Sequence, residues 1–353
     1  MDYKNAVKKN VSLLPGQINK DILSTIKHAI DKLDIPVCAI ALGGGWKYGE
    51  ITTTDNNIKT DIDIYIFSNW LPFYKKRLIE LEKEINRDNS VKIDFHGIMP
   101  LFINKSKTFW SYKIKQEAIL ITGNIDCINQ IKAERDNICF LESLRIILQT
   151  VSNRLLNINT NNKINSYSIS KLYLSLGEAC LTYYNELAPS YKERLSRIKR
   201  LASDKRFDDT LFEKIENGYE IKLNYKAKNQ TINLNTGDIK KDCIAIIRWL
   251  LDKEFGHDNL DNQLKELADR SRPKYLWNIL FYLSIQEMKP KFITTIFQFK
   301  ITDLYMATIY HLIDRHETRD KLIKKYFNKK NLSSKSLARI FKAWPIPTTV
   351  EIN

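Results

Sequence analysis

The sequence predicts an α+β N-terminal region followed by an all-α remainder, and three patterns carry that prediction. Asp61 to Phe67 and Val91 to Ile98 alternate polar and apolar residues with a period of two. Gln17 to Asp34 and Trp70 to Ile85, which precede them, place apolar residues at helical spacing. From about Ile131 onward the period is helical, with only short breaks.

In chain order, the first helix carries Ile18, Ile22, Leu23, Ile26, Ile30 and Leu33 and must stop before Pro36. A strand, Pro36 to Leu42, runs into Gly43-Gly44-Gly45, where the backbone turns tightly or comes close to another group. After the two alternating strands, Ile119 to Thr122 is the last strand expected. Asn157 to Asn165 is predicted as a loop between helices, and Asn224 to Gly237 as a hinge or short hairpin. The expected regions are 1–126, 127–230 and 231–353, with no internal repeat.

Composition narrows the class. The 353 residues are 43% hydrophobic and 27% charged, the balance of a soluble globular protein. The longest apolar stretch, Tyr275 to Ile285, is about half the ~20 residues of a membrane span and is predicted as a core helix. No membrane partner is expected, and the N-terminus shows no secretory pattern, so the expected location is cytoplasmic. Cys38, Cys127, Cys139, Cys180 and Cys243 lack zinc or redox spacing and are expected as buried thiols. The five histidines likewise show no ligand spacing. Through Ile125 there are 18 Lys and Arg against 14 Asp and Glu, so most of the net +15 lies beyond it. That excess suits a polyanionic partner such as nucleotide or RNA, or else serves solubility.

The chemistry concentrates in Thr60-Asp61-Ile62-Asp63-Ile64-Tyr65-Ile66-Phe67. Period two sends Ile62, Ile64 and Ile66 to one face and projects Asp61 and Asp63 from the other, their attachment points roughly 7 Å apart. Asp94, in Val91-Lys92-Ile93-Asp94-Phe95-His96, points the same way if its strand lies beside the first. Carboxylates forced onto one face repel unless a cation sits among them, and an all-oxygen donor set suits magnesium or manganese. Such a site serves phosphoryl or nucleotidyl transfer, with two metals about 4 Å apart clamping the attacking and leaving oxygens. Taken alone, the two acids are also what the solvent side of an edge strand carries.

Leu42-Gly43-Gly44-Gly45-Trp46-Lys47-Tyr48-Gly49-Glu50 followed by Thr60-Asp61-Ile62-Asp63-Ile64 resembles the signature of the nucleotidyltransferase superfamily that includes DNA polymerase beta and kanamycin nucleotidyltransferase. In that family a Gly-Ser or Gly-Gly pair ends a strand and opens a helix, a DxD strand follows, and the next strand brings a third carboxylate. The resemblance covers about residues 36–125, including Tyr112 to Gly123 as the closing helix and strand. It implies a mixed-sheet catalytic domain with Asp61, Asp63 and Asp94 as catalytic metal ligands. Gly44, Gly45 and Lys47 are then nucleotide-binding, two Mg2+ ions (or Mn2+) are cofactors, and an NTP such as ATP is substrate. Gly45 stands where serine is common, and Ile51 to Lys59 lengthens the gap into a small excursion or lid. No Gly-Lys-Ser/Thr follows the glycines, so they are not a P-loop.

The following helices resemble, more weakly, the bundle packed over such active sites. Ser168 to Leu187 places Leu172, Leu176, Ala179 and Tyr183 on one stripe, with Lys171 and Glu178 on another face, roughly 10 Å apart along the axis. The resemblance assigns Lys171 to the triphosphate and Glu178 as a possible base for the acceptor hydroxyl; a solvated polar face is the alternative. Arg194, Arg197, Lys199 and Arg200 form a basic cluster, and Lys321 to Lys342 interleaves lysines with Tyr326, Phe327 and Phe341. Such segments bind RNA by phosphate contact and stacking, or are amphipathic helices with a wet lysine face. The expected activity is transfer of NMP to a hydroxyl of RNA, tRNA, protein or a small molecule; the alternative is a nucleotide- or RNA-binding protein without chemistry.

Overall fold

A computed structural model of the chain describes residues 20–50, 53–54, 57–58, 61–88, 92–155, 166–203, 209–223, 236–256, 259–271 and 290–327. The architecture is α+β. It divides into two compact units, one of residues 1–137 with 188–193 and 223–226, the other of 138–187, 194–222 and 227–353. The main division thus follows Asn137, later than the 126/127 boundary expected, and most of the two helical regions expected beyond it lies in one unit.

The first unit begins with α1 (Lys20–Asp31) and β1 (Ala39–Leu42), which ends at the glycines; a short 3-10 turn, Gly44–Tyr48, follows. The excursion expected over 51–59 contains a two-stranded ribbon, β2 (Thr53–Thr54) against β3 (Asn57–Ile58). Next come β4 (Ile62–Phe67), α2 (Leu71–Asp88), β5 (Ile93–Ile98), α3 (Pro100–Ile103), α4 (Phe109–Glu117), β6 (Ile119–Gly123) and α5 (Asp126–Asn129). The four-stranded sheet has the order β5-β4-β1-β6, with β4 and β5 parallel and both other pairings antiparallel. β4 therefore lies inside the sheet, which removes the edge-strand explanation of its acids.

Period two works as the sequence predicts. Ile62, Ile64 and Ile66 are fully buried against Ile26, Ala29 and Ile30 of α1 and Leu71, Leu78, Leu81 and Ile85 of α2. Ile93 joins that core and Phe95 packs on it, leaving Asp94 and His96 for the opposite face. Asn86 on α2 ties β5 in place, accepting from the Ile93 amide and donating to its carbonyl, both at 2.7 Å.

The second unit holds α6 (Phe140–Thr150), which runs into a π turn (Val151–Leu155), then α7 (Ser166–Tyr183). It continues through α8 (Tyr191–Ser203, whose first turn belongs to the first unit), α9 (Asp209–Leu223), α10 (Thr236–Phe255), α11 (Leu260–Asp269), α12 (Phe292–Gln298), α13 (Ile301–Leu312) and α14 (His316–Lys324). α7 stops short of the predicted Leu187 because Asn185 takes a left-handed conformation (φ 56°) and the Glu186 amide bonds back to the Leu181 carbonyl at 2.7 Å. The hinge predicted over 224–237 ends earlier, since Thr236 and Gly237 open α10. The loop 157–165 and the apolar stretch 275–285 lie outside the described residues. Among the described residues no helix is long and apolar enough to cross a membrane. Of the cysteines, Cys127, Cys180 and Cys243 are buried, Cys139 is half-buried, and Cys38 is exposed at the entry to β1, contrary to expectation.

Candidate active site

The parallel register of β4 and β5 sets Asp63 directly beside Asp94 and Tyr65 beside His96. Neighbouring strands lie about 4.8 Å apart, so these four side chains share one small area of the sheet face opposite the α1–α2 core. Asp61 stands two residues before Asp63, at the entry to the strand, where the Ile62 amide is bonded to the Lys92 carbonyl. Asp61, Asp63 and Asp94 are all half-buried.

Each acid has drawn in a cation or a donor. Lys92 bonds Asp94, and the charge of Asp61 also acts on its ammonium. Desolvation works to lower the Lys92 pKa, but the bond to Asp94 and the charges of Asp61, Asp94 and Glu82 outweigh it and hold the group above its ordinary value. His96 Nε2 lies 2.8 Å from Asp63 Oδ1. Its ring stands edge-on to Tyr65 and Trp110, at 5.7 and 5.5 Å between centroids. Trp110 comes from α4, whose start is fixed by a capping box between Thr108 and Ser111.

Tyr65 forms the floor. It is 1% exposed, and burial, reinforced by the charges of Glu117 and Asp63, pushes its hydroxyl well above the usual range despite a hydrogen bond from the Gly44 amide. At the wall, Glu117 is buried with Lys113 at 3.9 Å, and the Lys113 ammonium lies 5.6 to 5.9 Å from the ring centres of Phe109, Trp110 and Tyr191.

The glycines close over this floor. The Gly43 amide donates to the Asp63 carbonyl at 2.7 Å, and a Cβ on Gly43 would come within 2.2 Å of Tyr65 Cζ. Gly44 has φ +72°, and a Cβ there would come within 2.6 Å of Asp63 Oδ2. The predicted need for a close backbone approach is thus met against the first unit's own acid. Lys47 is exposed on the 3-10 turn, and Tyr48 anchors that turn to the Gln116 carbonyl at 2.8 Å. Glu50, four residues after Trp46, accepts from the amides of Tyr191 and Lys192 at 2.9 and 2.8 Å, capping the start of α8.

Register therefore brings Asp63 and Asp94 together, with Asp61 at the strand entry, Gly44 over Asp63 and Gly45 in the same turn. Among the described residues, however, no three His, Cys, Asp or Glu side chains are gathered as a group that could hold a metal ion. Asp63 is turned to His96, and Asp94 to Lys92. His96 shows no metal-ligand spacing, yet its place two residues after Asp94 puts it on the same strand face, and that period-two position is the sequence signal for it. Nothing local announced Trp110.

The remaining predicted residues belong to the second unit. Lys171 lines a pocket there with Gln149, Thr150, Asn153, Arg154 and Ser175. Glu178 is buried, and Arg194, fully buried, donates to its Oε1 at 2.6 Å, so neither a solvated face nor an unengaged base describes it. The basic cluster is satisfied internally: Arg197 donates to the carbonyls of Glu186 and Leu187, Arg200 pairs with Glu186 at 2.6 Å, and Lys199 approaches Glu216 at 3.7 Å. Tyr326 and Phe327 are buried at 0% and 1% exposure, so they offer no stacking face to RNA. Lys329, Lys330, Lys335, Arg339 and Phe341 lie outside the described residues.

No protein-family model, no curated protein and no solved structure matches the chain.

Proposed function

We propose that the chain is a nucleotidyltransferase that moves NMP from an NTP to a hydroxyl acceptor, with release of pyrophosphate. The observation that carries this reading is the pairing of Asp63 with Asp94 across parallel strands, with Asp61 two residues upstream and the Gly44 turn seated on Asp63. The donor set fits a hard divalent ion: it is all carboxylate oxygen, and a lysine ammonium already lies against Asp94 in the field of Asp61. Asp61 and Asp63 would hold two magnesium ions and Asp94 would share one, Asp63 releasing His96 and Asp94 releasing Lys92. When bound, magnesium neutralises phosphate charge and acidifies the acceptor hydroxyl. Asp94 takes the hydroxyl proton, the backbone amides of Gly44 and Gly45 approach the triphosphate, and Lys47 offers it an exposed cation.

The test incubates the protein with each labelled NTP, magnesium, and total RNA, protein or a small-molecule extract. Label should enter one fraction, and Asp63→Asn or Asp94→Asn should bring transfer to background with the circular dichroism unchanged. Turnover retained in either variant refutes the assignment. One observation favours a second reading, nucleotide binding without chemistry: the acids are engaged by Lys92 and His96 and not gathered as a ligand set. Calorimetry showing tight NTP binding that ignores magnesium supports that reading over transfer.

A further inference from the structure

Two of the cysteines, far apart in sequence, meet at one corner of the first unit's sheet. Ala39 opens β1 opposite Gly123, the last residue of β6, so Cys38 and the chain leaving β6 are neighbours. Gly123 permits that approach: its φ is +96°, and a Cβ there would come within 2.3 Å of the Cys38 carbonyl oxygen. On its other side the Cys38 amide donates to the Phe67 carbonyl of β4 at 2.7 Å.

Asn124 then holds both cysteines. Its amide donates to the Cys38 carbonyl at 2.9 Å, and its carbonyl accepts from the Cys127 amide at 3.2 Å. Its side chain accepts from the Asp126 amide at 2.9 Å, which fixes the turn that opens α5. A turn closed between residues three apart keeps their Cα atoms within about 7 Å, so Cys127 is carried back toward Cys38.

The two thiols are free and differ in setting. Cys38 is exposed, whereas Cys127 is only 8% exposed. Burial pushes the Cys127 thiol above its ordinary value, and Cys38 pushes it further, by its charge and as a side-chain hydrogen-bond partner. Such a bond requires the two sulfurs to be adjacent. Cys127 is thus shielded and kept protonated, while Cys38 stands where a solute reaches it. An accessible cysteine beside a second thiol that can resolve its sulfenic acid is the arrangement by which cysteine pairs respond to peroxides.

We propose that Cys38 and Cys127 form a reversible disulfide when the protein meets a hydroperoxide. Cys38, having lost its proton to solvent, attacks the peroxide: its S–O bond forms, the O–O bond breaks, and the departing oxygen takes up a proton as water or an alcohol. The Cys127 sulfur, losing its own proton, then attacks the Cys38 sulfenic acid; the S–S bond forms, the S–O bond breaks and water leaves. The two sulfurs together give up two electrons, and the hydroperoxide accepts them. A dithiol reverses the bond by exchange. The link joins the entry of β1 to α5, at the end of β1 away from the glycine turn, and closes a loop that contains the four-stranded sheet. Closing that loop restricts the unfolded chain and so stabilises the folded unit. Neither cysteine belongs to the Asp61–Asp63–Asp94 cluster, so the disulfide does not depend on nucleotidyl transfer.

The test treats the full chain with a small excess of hydrogen peroxide, blocks the remaining thiols with iodoacetamide under denaturation, and maps the peptides without reduction. A peptide pair joined through Cys38 and Cys127 should appear and should vanish on treatment with dithiothreitol, while Cys180 and Cys243 remain alkylated. The urea midpoint should be higher for oxidised than for reduced wild type, and that difference should be absent from Cys38→Ser. In Cys127→Ser the Cys38 sulfenic acid has lost its resolving thiol and should be captured by dimedone. The proposal is overturned if the wild-type map shows no Cys38–Cys127 link, whether because Cys38 is unmodified, is carried on to the sulfinic or sulfonic acid, or joins a second copy of the chain. It is overturned equally if oxidised and reduced wild type unfold at the same urea midpoint.

Discussion

Substituting Gly44 by alanine tests whether the glycine turn is built over Asp63. Two effects combine. A left-handed backbone costs an L-residue roughly 1–2 kcal/mol, partly offset by about 0.4–1 kcal/mol because alanine restricts the unfolded chain. The new Cβ also meets Asp63 Oδ2 at 2.6 Å, against the 3.4 Å at which ordinary contact begins. Asp63 must retreat, at about 0.5–1.5 kcal/mol for an off-rotamer side chain, and weaken its bond to His96, a charge-assisted contact worth roughly 1.5–3 kcal/mol. The expected total is about 3 kcal/mol. Gly49 is the internal control: its φ is +68° but nothing lies within 4 Å of its Cβ position, so Gly49→Ala should cost only about 1 kcal/mol. Urea denaturation gives both values. The cycle Gly44→Ala with Asp63→Ala then isolates the clash, which should appear as a coupling of about 1 kcal/mol or more. Equal costs at the two glycines, or an additive cycle, would show that the turn does not depend on Asp63.

Two further predictions concern the second unit. Glu178→Ala leaves the Arg194 charge buried without its carboxylate and should cost about 3–5 kcal/mol, whereas Glu178→Ala combined with Arg194→Met should recover most of the loss; a single variant with wild-type urea midpoint would remove the structural role of the pair. His311 is held to about 4 by burial, with the charge of Arg319 adding to it. Because its ordinary value is 6.5, the neutral form contributes stability that is complete above that pH and is lost as pH falls toward 4. Denaturation at pH 7.5, 5.5 and 4.5 should show wild type converging on His311→Asn as the pH drops, and a constant gap between them contradicts the assignment.

Local pattern determined a good deal. The two periods placed the strands and helices and set Ile62, Ile64 and Ile66 apart from Asp61 and Asp63, because side-chain direction follows directly from backbone geometry and core residues differ in polarity from their neighbours. The triple glycine marked a close approach for the same reason, since only a missing Cβ permits one. Sequence separation hid the rest. That Asp63 meets His96 and Asp94 meets Lys92 depends on the β4–β5 register and on rotamers. Whether Arg194, Glu178, Tyr326 and Phe327 face water or protein depends on which helices pack against theirs, and a charge or an aromatic ring suits either outcome until its partner is present. Cys38 stands exposed and the π turn opens a pocket beside Lys171 on the same account. The chain's own alphabet encodes which side of an element is apolar; only the assembled tertiary structure decides which polar group answers which, because those energies arise between residues that no local period connects.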